Sequence, residues 1–245
     1  MLRKIWNRRG LRQISLFLVV YLLYLAARWI FVGDYAAAEE HAKLIFGLEQ
    51  SGGLAVEQGL QKAFSAGFWP DLFSSIYLAA QLFILPLSLI WLWFRKGKRR
   101  SYYWLRNTIC ATWMISIPIF ALFPVAPPRL DAIGLADTVS DNAGSVLTGH
   151  STIFYNPFAA MPSLHVGFAF AIGIAVASAI DNKILKGLAL SWGPLVAIAV
   201  MVTGNHFLLD AIAGISVTIV GALVGYLVNR YGLRAFNSEQ AGFGG

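Results

Sequence analysis

The polar residues of this sequence that are suited to catalysis are concentrated in three short clusters. The third cluster contains His206 and Asp210, which are four residues apart and would lie on one face of a helix. An aspartate one turn along can accept the proton of one imidazole nitrogen, which leaves the other nitrogen free as a nucleophile. A structural His–Asp pair that ties down a helix end has the same spacing, so the pair by itself leaves both interpretations open.

The second cluster, Met161-Pro162-Ser163-Leu164-His165, is typical of a helix start. Proline is favoured in the first turn and serine is a good cap. The free N–H groups of such a turn, together with the helix dipole, form an anion-binding site. His165 in that turn is suited to protonating a leaving oxygen. A simple capped helix with a histidine at the membrane interface is the alternative interpretation.

The first cluster, Ala126-Pro127-Pro128-Arg129, has its arginine after two stiffening prolines. A guanidinium there is suited to binding phosphate through two hydrogen bonds, although a loop arginine paired with lipid headgroups would look the same. Together the three clusters favour phosphoryl transfer. We expect no metal and no cofactor, because the histidines lack zinc-site spacing and no carboxylate cluster is visible. A single cysteine, Cys110, excludes an internal disulfide.

The composition indicates that these clusters are positioned by a membrane protein. Of the 245 residues, 58% are hydrophobic and only 13% are charged, and the mean hydropathy is +0.64. Soluble domains are nearer half apolar and a quarter charged, so an ordinary soluble protein is excluded. The net charge is +7. Because the basic residues lie between apolar runs, the expected partner is the anionic surface of a bilayer and not a nucleic acid.

We predict an all-α fold: one polytopic membrane domain, 1–245, with six transmembrane helices. About 20 apolar residues are needed for each crossing. The predicted spans are 14–32, 72–94, 107–125, 164–180, 187–203 and 206–228. Gly221 and Gly225 in the last span would permit close helix contact, although such a pair is also common in any apolar sequence.

The basic residues predict the orientation. All Lys and Arg residues except Arg28, Lys43, Lys62 and Arg129 fall on one side of the predicted spans. The positive-inside rule therefore places both termini in the cytoplasm. The three polar clusters then lie at the outer ends of spans three, four and six, which predicts one active site on the outer face. We expect an integral membrane protein.

Two long segments remain on the outer side. The first, 33–71, contains four glutamates and is split by Ser51-Gly52-Gly53. It predicts two short amphipathic helices at the membrane interface. The second, 126–163, is rich in Pro, Gly, Asp and Asn, and is predicted to be an active-site loop.

The pattern Pro162-Ser163-x-His165, followed by His206-x-x-x-Asp210, resembles motifs two and three of the type-2 phosphatidic acid phosphatase superfamily. Residues 155–165, together with Pro127-Pro128-Arg129, are similar to its inositol phosphorylceramide synthase-like branch, which includes bacterial proteins. The specific resemblance covers about residues 124–214.

This resemblance implies metal-independent chemistry through a phosphohistidine. His206 would attack phosphorus, Asp210 would orient it, and His165 would protonate the leaving group. Ser163 and nearby backbone amides would hold phosphate oxygens. Arg129 would take the place of the arginine in the first motif.

The sequence departs from the superfamily pattern at several positions. The lysine expected seven residues before Arg129 is Leu122, and the Ser-Arg pair expected before His206 is Ala199-Val200. Leu130 and Leu164 replace a proline and a glycine. Two expected cations are therefore absent. Arg28, near the outer end of the first span, is a possible substitute, although an arginine there can also extend towards headgroups. The remaining substrate-binding candidates are Pro162, Tyr155 and Asn156.

The sequence therefore predicts an integral membrane enzyme that transfers a phosphoryl group from a lipid phosphate or phospholipid. If water resolves the intermediate, the enzyme is a phosphatase. If an alcohol does, such as a polyol or a lipid alcohol, it is a transferase of a phospho-headgroup such as phosphoinositol. A non-enzymatic lipid-binding scaffold or a transporter is the alternative from another class.

Overall fold

The computed structural model describes residues 8–31, 33–130, 134–138 and 158–242. All regular structure in these residues is helical, which confirms the all-α prediction. Extended segments of the described chain meet in one isolated bridge, between Val125 and Ala159.

The described part of the chain forms ten α-helices. In chain order they are α1 (Arg8–Ile30), α2 (Tyr35–Ser51), α3 (Glu57–Ala63), α4 (Trp69–Ala79), α5 (Leu85–Phe94), α6 (Arg99–Leu122), α7 (Leu164–Ala179), α8 (Lys183–Leu190), α9 (Trp192–Val202) and α10 (Leu208–Gly242). A π-helical turn, Ala80–Ile84, joins α4 to α5, and a 3₁₀ turn, Pro128–Leu130, follows α6.

Five helical segments are long and apolar enough to cross a membrane. They are Gly10–Ile30, Trp69–Phe94, Arg99–Leu122, Lys183–Val202 and Leu208–Tyr231. These correspond to five of the six predicted spans. The remaining one, α7, has 16 residues. At 1.5 Å per residue it measures about 24 Å, less than the roughly 30 Å of a hydrocarbon core.

Two helices extend beyond their predicted spans, because polar residues continue the helix outside the apolar stretch. The third span was predicted over 107–125, whereas α6 begins at Arg99 and ends at Leu122. The sixth was predicted over 206–228, whereas α10 begins at Leu208 and continues to Gly242. Hydropathy marks the apolar stretch, but helical hydrogen bonds do not stop where the apolar stretch stops.

The packing of α6 against α10 depends on two glycines. A Cβ atom on Gly221 would lie 2.2 Å from Thr112 Oγ1, and one on Gly225 would lie 3.0 Å from the backbone nitrogen of Thr108. The Gly221/Gly225 pair is therefore a contact surface and not an incidental feature of apolar sequence. Helix α7 contacts α6, α9 and α10, and most of its residues are buried.

The segment between α1 and α4 contains two helices, as predicted, divided where the glycines fall. Helix α2 ends at Ser51 and α3 begins at Glu57. Their location at a membrane interface stays a prediction. The amphipathic pattern would put their acids in water, yet Glu49 and Glu57 are completely buried.

The predicted loop 126–163 is only partly described. Its described residues form the 3₁₀ turn and are otherwise not helical, except at the single residue Thr138. The substrate-binding candidates Tyr155 and Asn156 lie outside the described residues.

Candidate active site

The structure brings the three polar clusters together at one end of the helical bundle. The backbone N–H of Arg129 donates to the carbonyl oxygen of Gly204, at 2.9 Å. The Arg129 guanidinium also donates to the side-chain oxygen of Asn205. The His206 ring lies against the carbonyl of Ala160, just before the second cluster. Residues distant in sequence therefore form one site.

The His206 imidazole is buried and held in one orientation. It lies in the segment between α9 and α10 with 6% of its surface exposed. Its Nδ1 is 2.8 Å from the carbonyl oxygen of Ala160. Because a carbonyl only accepts hydrogen bonds, Nδ1 carries the proton and Nε2 carries the lone pair.

The protonation state of His206 follows from its surroundings. Burial, together with the positive charges of Arg129 and Arg28, lowers the pKa of His206 to about 3 against the opposing hydrogen bond to Ala160. The imidazole is therefore neutral at neutral pH, which is the nucleophilic form.

Asp210 is placed differently from the sequence expectation. Its Oδ2 accepts the backbone N–H of Phe207 at 2.9 Å and lies 3.5 Å from Nδ1 of His206. The nearer acceptor for the His206 proton is Ala160. The reason is local, because a carboxylate at the third position of a helix reaches back to the N–H that precedes the helix. Asp210 remains close enough to stabilise positive charge on His206.

The His165 ring lies close to His206. It is in the first turn of α7 and stacks on Tyr77 of α4, with 4.3 Å between ring centroids. The centroids of His165 and His206 are 6.0 Å apart. Both imidazoles can therefore reach one bound group. The role of Tyr77 as the stacking partner had no signal in the sequence.

Ser163 and Pro162 precede α7 and do not cap it as predicted. The helix begins at Leu164, after a cis Met161–Pro162 bond, and the Ser163 hydroxyl makes no capping hydrogen bond. This hydroxyl is buried and, among the described residues, has no hydrogen-bond partner. It is thus available to a ligand atom.

The start of α7 is packed directly on α10. The N–H of Ser163 donates to the backbone oxygen of Asp210 at 2.9 Å. A Cβ atom on Gly214 would lie 2.0 Å from the Ser163 carbonyl oxygen. Only glycine permits this approach, which sets the second cluster against the third.

Two arginines supply positive charge to the site. Arg129 forms an ion pair with Asp137 at 3.1 Å, and its side chain is only 8% exposed. Arg28, on α1, lies over the ring of Tyr24 at 5.5 Å. Its charge acts on both His165 and His206. Arg28 is therefore near enough for its charge to influence both imidazoles.

Two glutamates belong to the site although no motif contains them. Glu57 accepts the backbone N–H of Leu208, and Glu49 accepts that of Leu209, each at 2.7 Å. Both glutamates are remote in sequence from the His206 segment, so only the fold reveals their bonds to Leu208 and Leu209. Among the described residues, no three His, Cys, Asp or Glu side chains are grouped so that they could hold a metal ion.

Comparisons with known proteins identify the fold and the family. The fold is similar to a crystal structure of LpxE from Aquifex aeolicus, with a TM-score of 0.51 and 21% sequence identity. The similarity covers 71% of this chain and 94% of LpxE. No curated protein matches the sequence. Residues 43–224, well over half of the chain and including all three clusters, match the family described as the PAP2 superfamily. The chain is therefore an integral membrane protein that belongs to the PAP2 superfamily.

Proposed function

We propose that this protein is a membrane lipid phosphatase that acts through a phosphohistidine on His206. One observation carries the proposal: the ring of His206, a neutral and oriented imidazole, has its centroid 6.0 Å from that of His165, and the positive charges of Arg129 and Arg28 act on it. Membership of the PAP2 superfamily and the apolar helices support a lipid phosphate as substrate. A water-soluble substrate would not require a site placed among apolar helices.

The first chemical step forms a phosphorus–nitrogen bond. The lone pair of His206 Nε2 attacks phosphorus, and the bond from phosphorus to the lipid oxygen breaks. His165, protonated once the anionic phosphate is bound beside it, gives its proton to that oxygen, so the lipid leaves as an alcohol. Asp210, 3.5 Å from Nδ1, stabilises the positive charge that forms on His206.

The second step returns the enzyme to its starting state. A water molecule attacks the phosphohistidine, and neutral His165 accepts the proton of that water. The phosphorus–nitrogen bond breaks and inorganic phosphate leaves. Each histidine then has its original protonation, so no metal or cofactor is required in this sequence of steps.

The phosphate oxygens would be bound by the first turn of α7 and by the arginines. Ser163 offers a buried hydroxyl, and the helix start offers its N–H groups and dipole. Arg129 would take the place of the first-motif arginine, and Arg28 would supply positive charge in place of the superfamily cations that are absent at Leu122 and Val200. Pro162 holds the chain before Ser163, and Tyr155 and Asn156 remain candidates for headgroup contact.

We propose six membrane crossings, with α7 as the sixth. Its shortness is tolerable because α6, α9 and α10 surround it. The distribution of basic residues supports cytoplasmic termini and a site on the outer face of a bacterial plasma membrane. Helices α2 and α3, which contact the site, would then lie at the outer interface.

The purified protein should be incubated in detergent with phosphatidic acid, polyprenyl phosphates and phosphatidylinositol, each with and without free inositol. We expect inorganic phosphate from at least one monoester, unchanged by a metal chelator and abolished by His206→Ala. A new phospho-headgroup product would instead favour the transferase and the inositol phosphorylceramide synthase-like branch. Lipid binding without any product, unaltered by His206→Ala, would indicate a scaffold or transporter and overturn the proposal.

A further inference from the structure

The first turn of α10 has more backbone donors than its own residues satisfy. Its first helical hydrogen bond runs from the Ala211 N–H to the Phe207 oxygen, at 3.2 Å. The N–H groups before Ala211 therefore lack partners within the helix. Asp210 accepts the one on Phe207. Those on Leu208 and Leu209 are satisfied from outside the helix.

Glu57 and Glu49 provide these outside acceptors from two other helices. The bond from Leu208 to Glu57 and the bond from Leu209 to Glu49 are both 2.7 Å. Both side chains are 0% exposed. Because they accept adjacent N–H groups, the two carboxyls are necessarily neighbours.

Two buried carboxylates side by side would repel each other. The charged groups facing Glu49 are Glu57 on α3 and Asp210 on α10, and both are acidic. Burial, together with these acidic neighbours, raises the pKa of Glu49 to about 8 against the opposing hydrogen bond from Leu209. The second carboxyl oxygens of Glu49 and Glu57 are buried and have no hydrogen-bond partner among the described residues. Glu49 is therefore protonated at neutral pH, and its proton can be shared with Glu57.

We propose that Glu49 and Glu57 are positioning residues of the active site: they share one proton, cap the first turn of α10, and so fix the backbone that carries His206 and Asp210. The role presupposes the proposed function but not the identity of the lipid. The cap also gives the two helix N-termini of the site different roles. Carboxyls occupy the start of α10, which leaves the start of α7 as the one available to phosphate.

Hydrogen exchange tests the cap without reference to activity. Backbone exchange of a peptide containing residues 207–210 should be compared in the full-length protein and in Glu49→Ala. Glu40→Ala is the matched control, because Glu40 is exposed on the same helix. Relative to the natural protein, we expect faster exchange in Glu49→Ala and unchanged exchange in Glu40→Ala. Equal exchange in all three proteins would overturn the cap.

Kinetics with the best lipid phosphate test the positioning role. Because both glutamates are fully buried and accept backbone N–H groups, Glu49→Ala should lower kcat about 10- to 100-fold while KM stays within about threefold. Glu49→Gln should restore most of kcat, because an amide accepts from Leu209 and donates to Glu57. Glu49→Asp, which keeps the carboxyl group but shortens the reach, should not.

Two outcomes would contradict the inference even if Glu49→Ala does not fold. Equal damage by Glu49→Gln and Glu49→Asp would exclude the shared proton, and full activity of Glu49→Asp would exclude the positional requirement. If the natural chain hydrolyses no lipid phosphate, the proposed function fails, whereas the exchange measurement still decides the cap.

Discussion

The carbonyl oxygen of Ala160 lies 2.8 Å from Nδ1 of His206 and fixes which nitrogen of that imidazole can react. The carbonyl is itself held in place. The N–H of Ala160 donates to the Val125 oxygen at 3.2 Å, and the N–H of Val125 donates to the Phe158 oxygen at 2.8 Å. The orientation of His206 therefore depends on main-chain contacts between the chain after α6 and the chain before α7.

His206→Ala should reduce phosphate release by about 10³-fold or more, because it removes the nucleophile. Incubation with a ³²P-labelled lipid phosphate should label the natural protein with an acid-labile, base-stable phosphate and leave the variant unlabelled. The thermal midpoint of the variant serves as the folding control. Label retained in His206→Ala would assign the nucleophile to another residue.

Asp210→Asn should be less damaging than His206→Ala. The amide oxygen can still accept the Phe207 N–H, and Ala160 still orients His206, so only the negative charge near Nδ1 is lost. We expect kcat to fall about 10- to 100-fold, equivalent to roughly 1.4–2.7 kcal/mol of transition-state stabilisation. A loss as large as that of His206→Ala would show that Asp210, and not Ala160, controls the imidazole.

Gly214→Ala should disrupt the site without altering any polar side chain. The added methyl group would lie 2.0 Å from the Ser163 carbonyl oxygen, so α7 and α10 must separate. Overpacking of this kind costs roughly 1–3 kcal/mol, and the displacement should abolish most activity. The control is Gly187→Ala, an exposed helical position with open space around it, where alanine should be neutral or stabilising. Comparable thermal midpoints for the two variants would be inconsistent with the close contact.

Arg28→Ala should weaken binding of the substrate's phosphate group. The loss of one charge-assisted hydrogen bond is worth about 1.5–3 kcal/mol, so kcat/KM for the lipid phosphate should fall on the order of 10- to 100-fold. Arg12→Ala, an exposed position on the same helix, should leave kcat/KM unchanged. If both variants behave alike, Arg28 serves the membrane surface and not the substrate.

Stability should fall with rising pH through Glu49. Its pKa in the folded protein, about 8, is above the ordinary value of 4.5. The folded state therefore binds more protons than the unfolded state between these values, and the stability present below about pH 4.5 is lost as pH rises towards 8. Glu49→Gln has no ionisable group there. Its thermal midpoint should therefore rise relative to that of the natural protein as pH increases over this range. Parallel midpoints from pH 5 to pH 8 would argue against a buried, protonated Glu49.

Much of the architecture was determined by the sequence itself. Apolar stretches of the length needed to cross a bilayer indicated where helices form, because a backbone in lipid must satisfy its hydrogen bonds internally. The grouping of His165, His206 and Arg129 beside predicted helix ends indicated a shared site. Local composition carries this information, since hydropathy, caps and short motifs each depend on residues close together in the chain.

The tertiary structure decided how those residues are held. The spacing of His206 and Asp210 suggested a direct partnership, yet Ala160 is the nearer acceptor because the chain before α7 folds back against α10. Glu49 was expected on a polar helix face and is instead buried as the acceptor for Leu209, 160 residues away. Such contacts join segments that no local pattern relates, so their geometry exists only once the helices have packed.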